Sequence, residues 1–192
     1  MNVARDNILG RVRAALRIAA NRPLAPTDAP VFAPVTETET RFRNEFAALR
    51  GEIIESDEAL RAFVKGFAKI ATDGGELAGK TVGDANASVR ECDLGVTGCD
   101  YLVAQTGSII VTAVSAGGRA VSVLPPVHLV VARREQIAPD LATAMALLRK
   151  RYNKRWPSAL SVITGPSRTG DIEKILVMGA HGPKRLALYF AE

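Results

Sequence analysis

The sequence predicts an α/β fold, in which short buried strands alternate with amphipathic helices around one core. Three observations carry this prediction. First, 192 residues with 47% hydrophobic and 23% charged residues are typical of one globular domain with a sizeable core. Second, apolar residues recur at helical spacing in the stripes at 60–70 and 141–148. Third, short apolar runs suited to strands lie at 53–54, 101–104, 108–114, 120–131, 159–163 and 186–190.

The helices of this alternation have recognisable start and stop signals. Ser56 is a good N-cap, and the apolar stripe that follows it is expected to run through Ile70 and to end at Asp73. A shorter helix precedes it and ends at Gly51. Pro139 is expected to open a later helix, whose C-terminal end carries a cluster of cations.

A β-hairpin insertion is predicted within the dense apolar region that begins at Gly95. The pair Gly117-Gly118 is expected to join the runs 108–114 and 120–131 as two strands of a hairpin. Because Pro125-Pro126 cannot lie inside a central strand, the second strand is expected to bend there before it continues into the sheet. Residues 74–95 show only short apolar pieces, which predict brief strands or turns.

The N-terminal residues 1–40 are predicted to form an arm, separate from an α/β domain at 41–192. Ile8, Val12 and Leu16 share one face of a basic amphipathic helix, and a polar stretch with four prolines follows as a linker. Limited proteolysis is expected to cut that linker first. The helix could pack on its own domain, bind a partner or lie on anionic lipid. The first two are favoured because the apolar face has no aromatic residue.

Composition also predicts a cytoplasmic protein without metal or cofactor. No window approaches the ~18 unbroken apolar residues of a membrane-spanning helix, and no signal-peptide core begins the chain. The two cysteines, Cys92 and Cys99, have neither a second pair nor a CxxC spacing. They are expected to be small buried hydrophobes rather than a disulfide framework or ligands of an iron–sulfur cluster or zinc.

The net charge of +5 is concentrated in two segments. Residues 1–22 carry five arginines against one aspartate, and residues 133–155 carry seven basic against two acidic residues. Residues 23–132 are net acidic, with nine basic against fourteen acidic residues. No stacking motif or helix-turn-helix pattern accompanies the basic residues. The basic run at 149–156 follows an apolar helix stripe and is interpreted as a helix C-terminus rather than a nucleic-acid surface.

The stretch TGPSRTGDIE at 164–173 is the strongest candidate for ligand binding. It follows an apolar strand and precedes an expected helix beginning near Ile172, so unpaired backbone N–H groups would point at one anion. The hydroxyls of Ser167 and Thr169 and the guanidinium of Arg168 would add donors for a carboxylate or phosphate. The alternative is a capped turn in which Arg168 pairs with a neighbouring acid.

Other candidates lie in loops beside proline or glycine. His128 and His181 could act as general acids or bases near neutral pH, or could hold loops in place. Two tight turns could line a pocket at the strand ends. No order of nucleophile, base and orienting group, no Walker loop and no GxGxxG is present. The predicted ligand-binding residues are Thr97, Gly98, Asp100, Gln105, Thr106, Gly107, His128, Gly165, Ser167, Arg168 and Thr169.

Five short motifs resemble, in the same order, those of the lactate utilization protein C family, the LUD domain. The motifs are GVTG at 95–98 with Asp100, TGS at 106–108, LPPVH at 124–128, GPSRT at 165–169 with DIE at 171–173, and HGP at 181–183. The resemblance covers residues 95–192. The first ~90 residues fit the family only as a helical N-terminal region of variable length.

This resemblance implies a three-layer fold related to the sugar-isomerase and CoA-transferase group and to formyltetrahydrofolate cyclo-ligase. It also implies a role in oxidising L-lactate to pyruvate together with two partner proteins, at least one of which carries iron–sulfur clusters. One position departs from the family, which commonly has glutamate where this chain has Gln105. Because glutamine cannot serve as a carboxylate base or nucleophile, a catalytic role like that of the acid in CoA transferases is not supported at that position.

Two functional hypotheses follow. The favoured one is a non-redox subunit of a lactate-oxidising system that binds a small organic acid or a partner protein. The alternative is a stand-alone acid/base enzyme that acts on a phosphorylated or CoA-linked small molecule. The absence of a cysteine cluster and of a dinucleotide fingerprint counts against electron transfer by this chain itself. Whether the chain is an enzyme stays open.

Overall fold

The structure is a computed structural model in which the chain divides into two compact units, Met1–Ala33 and Pro34–Glu192. In the first unit, helix α1 spans Val3–Leu16, as predicted, and has no buried side chain. Most of the predicted linker lies outside the described residues. The described residues are 3–18, 32–73, 75–82, 87–117, 119–153, 155–172, 175–178 and 182–191.

The second unit alternates strands and helices. Its helices are α2 (Thr38–Ala48), α3 (Asp57–Lys65), α4 (Glu76–Val82), α5 (Ala120–Val123) and α6 (Leu141–Tyr152). Its strands are β1 (Glu52–Ile54), β2 (Ile70–Thr72), β3 (Leu94–Thr97), β4 (Tyr101–Val103), β5 (Ser108–Thr112), β6 (Val127–Ala132), β7 (Ile137–Ala138), β8 (Leu160–Ile163), β9 (Arg168–Ile172), β10 (Ile175–Met178) and β11 (Arg185–Phe190). None of the described helices is long and apolar enough to cross a membrane.

The main sheet has five parallel strands in the order β1-β11-β6-β3-β2. Its central strands β6 and β11 are buried on both faces, which explains their nearly continuous apolar sequences. A second sheet has the order β7-β4-β5-β8 and is mostly antiparallel. The protein is therefore a mixed α/β fold built on a parallel sheet.

Alternate residues of the main sheet face different layers. Leu129 and Val131 pack against α3 and α4, while Val130 and Leu188 pack against α2 and the second sheet. The opposite face of the second sheet contacts α6 through Val103 and its neighbours. The layer order is thus helix, sheet, sheet, helix, instead of the three layers implied by the family resemblance.

Several predicted elements are confirmed. The Ser56 hydroxyl accepts a hydrogen bond from the Ala59 amide at 3.1 Å and caps α3. Strands occupy the apolar runs at 53–54, 101–104 and 186–190, and both cysteines are buried and free. The predicted helix after Pro139 is α6, whose N-cap is Asp140.

The predicted hairpin across Gly117-Gly118 is wrong. Residues 120–123 form the helical turn α5, and the strands before and after it, β5 and β6, belong to different sheets. The glycine at 95 explains why α5 can pack on the main sheet, because a Cβ there would collide with the Val121 carbonyl oxygen. The strand predicted at 120–131 therefore begins only after Pro125-Pro126.

Helix α3 is shorter than its apolar stripe predicts. It ends at Lys65 with Gly66 as its C-cap, and the last predicted helical residue, Ile70, belongs to the edge strand β2. Glycine has low helix propensity, and pairing with β3 buries Ile70 in the core. Strand β3 itself lies partly in the region where only brief strands or turns were predicted.

The helix expected near Ile172 is also wrong. Residues 168–172 and 175–178 form two antiparallel strands, β9 and β10, in which Arg168 pairs with Met178 and Ile172 with Ile175. The β-branched and long apolar residues of this segment are compatible with a strand as well as with a short helix. The backbone N–H groups of a helix N-terminus are consequently not available to an anion at this loop.

Candidate functional site

The loop at 164–168 lines a cavity of about 400 Å³ at the amino ends of β6 and β11. Gly182 and Pro183 lie shortly before β11, and Val123 is the last residue of α5, shortly before β6. We call this space the amino-edge cavity. Its lining residues are Ser122, Val123, Ser161, Ile163, Thr164, Gly165, Pro166, Ser167, Arg168, Gly182 and Pro183.

Backbone geometry fixes the loop that carries Ser167 and Arg168. Gly165 has φ +84°, and a Cβ there would lie 2.9 Å from the Leu49 carbonyl oxygen, so the turn requires glycine. The Ser167 amide donates to the Pro183 carbonyl at 2.8 Å. The cavity thus presents the exposed guanidinium of Arg168 and several hydroxyl groups, and the loop at 164–168 is fixed by these contacts. Such a set of donors suits a small carboxylate or phosphate.

The predicted turn at 105–107 lines neither this cavity nor the second one described below. Gly107 has φ +61°, and a Cβ there would approach the Phe46 nitrogen of α2 to 2.5 Å, so this glycine serves packing. The backbone amide of Gln105 donates to the Pro139 carbonyl at 3.0 Å. Thr106 is linked to the amino-edge loop only indirectly: its hydroxyl lies 2.7 Å from that of Ser108, which lies 2.8 Å from that of Thr164.

A second cavity, of about 320 Å³, lies at the opposite edge of the main sheet. Asp73, Gly98 and Arg133 follow the last residues of β2, β3 and β6, respectively, so this is the carboxyl edge of three parallel strands. We call it the carboxyl-edge cavity. Its lining residues are Asp73, Gly75, Leu77, Ala78, Gly98, Cys99, Val114, Ser115, Arg133, Glu135, Gln136 and Arg151.

Asp100 is fully buried beside this cavity. Its Oδ1 accepts a hydrogen bond from the Tyr152 hydroxyl at 2.6 Å and lies 3.6 Å from Nη1 of Arg151. Its Oδ2 has no hydrogen-bond partner among the described residues. Burial, and then the hydrogen bond to Asp100, raise the pKa of Tyr152. Burial, and then the charge of Asp100, also raise the pKa of the Cys99 thiol, which is therefore not a reactive thiolate.

His128 lies inside the protein on β6. Its Nε2 is 2.8 Å from the Thr97 hydroxyl, its Nδ1 has no hydrogen-bond partner within the described parts of the chain, and the side chain is fully buried. Burial lowers its pKa from 6.5 to about 4. A neutral, enclosed imidazole cannot exchange protons with a ligand near neutral pH, so the geometry favours the structural interpretation of this histidine over the catalytic one.

The predicted site residues therefore fall into separate groups. Gly165, Ser167 and Arg168 meet at the amino edge, whereas Gly98 and Asp100 lie at or behind the carboxyl edge. His181 lies outside the described residues, and the Thr169 backbone belongs to β9. Within the described ranges, no three histidine, cysteine, aspartate or glutamate side chains are grouped so as to hold a metal ion.

Sequence reasoning missed four residues of the carboxyl edge: Arg133, Gln136, Arg151 and Tyr152. Both arginines belong to the basic segment 133–155. Only its run at 149–156 was attributed to a helix C-terminus, and Arg151 does lie in the last turn of α6. A signal was available for Arg133, because it follows an apolar strand directly, where α/β proteins place ligand-binding residues. No local pattern pointed to Gln136 or Tyr152.

The chain is similar in sequence to several curated proteins. The chain is 33% identical over 105 residues to lactate utilization protein C of Halalkalibacterium halodurans, which is 54% of this chain and 46% of that protein. It is 31% identical over 113 residues to the protein of the same name from Bacillus licheniformis, covering 57% and 47% of the two chains. These matches span about half the length of the curated relatives.

A crystal structure of a DUF162 family protein from Deinococcus radiodurans superposes with a TM-score of 0.62 at 19% identity, covering 83% of this chain and all of that one. At this identity the likeness supports the fold alone. The family model of the LUD domain matches residues 39–190, which include the whole of both sheets. The chain belongs to the LUD domain family.

Proposed function

We propose that this protein is a non-redox subunit of an L-lactate utilization system, in which it works with iron–sulfur partner proteins that oxidise L-lactate to pyruvate. The observation that carries the proposal is its LUD domain together with relatives named lactate utilization protein C. We place the protein in the cytoplasm. We also propose that its fold is related to that of the sugar isomerases and CoA transferases.

The proposed ligand is a small organic anion in the amino-edge cavity. A volume of about 400 Å³ lies within the range of small-molecule sites. Arg168 supplies a planar fork of donors for a carboxylate, and the Ser167 hydroxyl lies beside it on the same loop. Gly165 supports this role, because its backbone conformation holds the loop in place without a side chain.

The non-redox assignment rests on the side chains available. The whole chain has two cysteines, fewer than the four thiolates that usually hold an iron–sulfur cluster. Cys99 is also enclosed in the core cluster between the two sheets. We therefore assign electron transfer to the partner proteins. The alternative of a stand-alone acid/base enzyme has less support, since the buried His128 is neutral near physiological pH.

Deletion of the gene tests this proposal. The deletion strain is expected to grow poorly on L-lactate as sole carbon source and normally on pyruvate, and the intact gene should restore growth on L-lactate. The purified chain should contain no iron or flavin and should not oxidise L-lactate alone. Equal growth of the deletion strain on both carbon sources would remove the lactate assignment.

A further inference from the structure

We infer that the carboxyl-edge cavity is a second binding site, which holds a small oxyanion, a carboxylate or a phosphate, through Arg133 and Arg151. The inference is independent of the lactate assignment and concerns a different edge of the sheet from Arg168. Its first support is position: three parallel strands end at this cavity, and open α/β sheets bind ligands outside the carboxyl ends of their strands.

The second support is that polar groups in the cavity wall already have hydrogen-bond partners within the protein. Asp73 accepts hydrogen bonds from the amides of Gly75 at 2.7 Å and Gly98 at 2.9 Å. The Gln136 side chain accepts from the Arg133 amide at 2.7 Å and donates to the carbonyls of Cys99 and Asp100 at 2.6 and 3.2 Å. These bonds join three chain segments, 73–75, 98–100 and 133–136, so the cavity wall is fixed before any ligand arrives.

The third support is that the guanidinium groups at the cavity have no hydrogen-bonded carboxylate partner among the described residues. Two carboxylates, Asp73 and Glu135, also line the cavity, but the charge of Asp73 is already partly offset by the two backbone amides from which it accepts. The Arg151 side chain is 52% exposed and lies beyond hydrogen-bond distance of the Asp100 carboxylate, at 3.6 Å. Arg133 is exposed, and none of the described ion pairs includes it. The unused donors around the cavity are therefore guanidinium groups.

Guanidinium donors select the ligand class. Two planar forks bind oxyanions, whose oxygens accept parallel hydrogen bonds, better than they bind neutral groups. A volume of about 320 Å³ restricts the ligand to a small molecule. Since carboxylates and phosphates share this chemistry, they are distinguished by experiment rather than by geometry.

Amide NMR of the ¹⁵N-labelled full chain tests this inference with each probe separately, inorganic phosphate and then acetate. At least one probe is expected to shift the amides of Gly98 and Gln136 in a saturable manner. Arg133→Gln should weaken that binding at least tenfold, because it removes charge-assisted hydrogen bonds. Arg149→Gln is the matched control: it removes the same charge from an exposed residue of α6 that does not line the cavity, and should leave the affinity unchanged.

This experiment tests the two proposed binding sites separately, because different amides report on each cavity. Arg168→Ala should abolish only the shifts of Gly165 and Gly182, which report the amino-edge cavity. If neither probe produces saturable shifts at Gly98 and Gln136, or if Arg149→Gln weakens them as much as Arg133→Gln does, the inference is overturned. The spectrum of each variant reports its folding, and Arg133→Lys, which keeps the charge, replaces Arg133→Gln if that variant does not fold.

Discussion

The amino and carboxyl edges of the main sheet carry cavities of similar size but different construction. At the carboxyl edge, Asp73 and Gln136 each bond to two or more backbone groups, and the fully buried Asp100 lies behind the wall. At the amino edge, the polar side chains that line the cavity are hydroxyls and the exposed Arg168, and the loop at 164–168 is held by backbone contacts. The carboxyl edge is thus integrated with the core, and the amino edge is a surface feature.

This difference predicts how each edge responds to substitution. Buried polar groups cost stability when they lose a partner, because they cannot return to water. An exposed side chain contributes little to folding, so its removal affects mainly the ligand. Substitutions behind the carboxyl edge should therefore lower the free energy of unfolding, whereas substitutions at the amino edge should leave it nearly unchanged.

Tyr152→Phe should have the largest effect, a loss of ~3 kcal/mol in the free energy of unfolding. It removes the hydroxyl that donates to the buried Asp100 carboxylate and leaves that charge without its closest donor. Urea unfolding at neutral pH measures the loss. Tyr101→Phe is the matched control, since the Tyr101 hydroxyl makes no hydrogen bond to a described residue and its removal should change stability by less than ~0.5 kcal/mol.

If the two variants lose the same stability, Asp100 is not held by Tyr152, and the carboxyl edge is no more integrated with the core than the amino edge. The result would also weaken the case for a fixed cavity wall, because the Gln136 side chain donates to the backbone carbonyl of Asp100.

His128, on the central strand between the two edges, should make stability depend on pH. Its pKa is about 4 in the folded protein and 6.5 when unperturbed, so below pH 6.5 the unfolded state binds a proton that the folded state does not. The contribution of His128 is therefore fully present above pH 6.5 and is lost as the pH falls towards 4. The loss amounts to about 3 kcal/mol for a difference of this size.

His128→Gln removes this titration and keeps a neutral partner for Thr97. The difference in unfolding free energy between wild type and His128→Gln should shrink as the pH is lowered from 7.5 to 4.5, because only the wild type loses stability through this group. A constant difference between wild type and His128→Gln across this range would show that His128 is not buried in its neutral form.

The sequence predicts elements whose signals are local. Ser56 was recognisable because an N-cap needs only one hydroxyl next to the first helical turn, and the structure places it there. The run at 186–190 is long and apolar enough to be a central strand. In contrast, Leu94 is buried in a four-residue strand with glycine and acidic neighbours, and only its pairing with β2 and β6 makes it a strand.

The helix expected near Ile172 failed for the same reason. A short apolar run after acidic residues satisfies both a capped helix and a strand, and the partner strand, which no local pattern identifies, decides between them. The carboxyl-edge cavity could be predicted only in part, through Gly98 and Asp100. Arg133 is distant from Asp73 in sequence and meets it at one cavity because β2 and β6 end at the same edge, whereas Arg151 reaches the cavity from the last turn of α6.

Arg168→Ala should have the smallest effect on folding and a clear effect on binding. Arg168 is exposed, so its removal should change the free energy of unfolding by less than ~1 kcal/mol. The affinity for a small anion should fall roughly tenfold to a hundredfold, because each charge-assisted hydrogen bond contributes ~1.5 to 3 kcal/mol. The measurement is the thermal midpoint with and without millimolar L-lactate, phosphate or coenzyme A.

Arg155→Ala is the matched control for Arg168→Ala, because Arg155 is exposed, carries the same charge and lines neither cavity. It should change neither stability nor the response to ligand. If Arg168 instead pairs with a nearby acid as part of the turn, its removal leaves a carboxylate without a partner, and the thermal midpoint should fall in the absence of ligand. A large loss of stability with an unchanged ligand response would therefore assign Arg168 to the structure of the loop and leave the amino-edge cavity without its anion-binding residue.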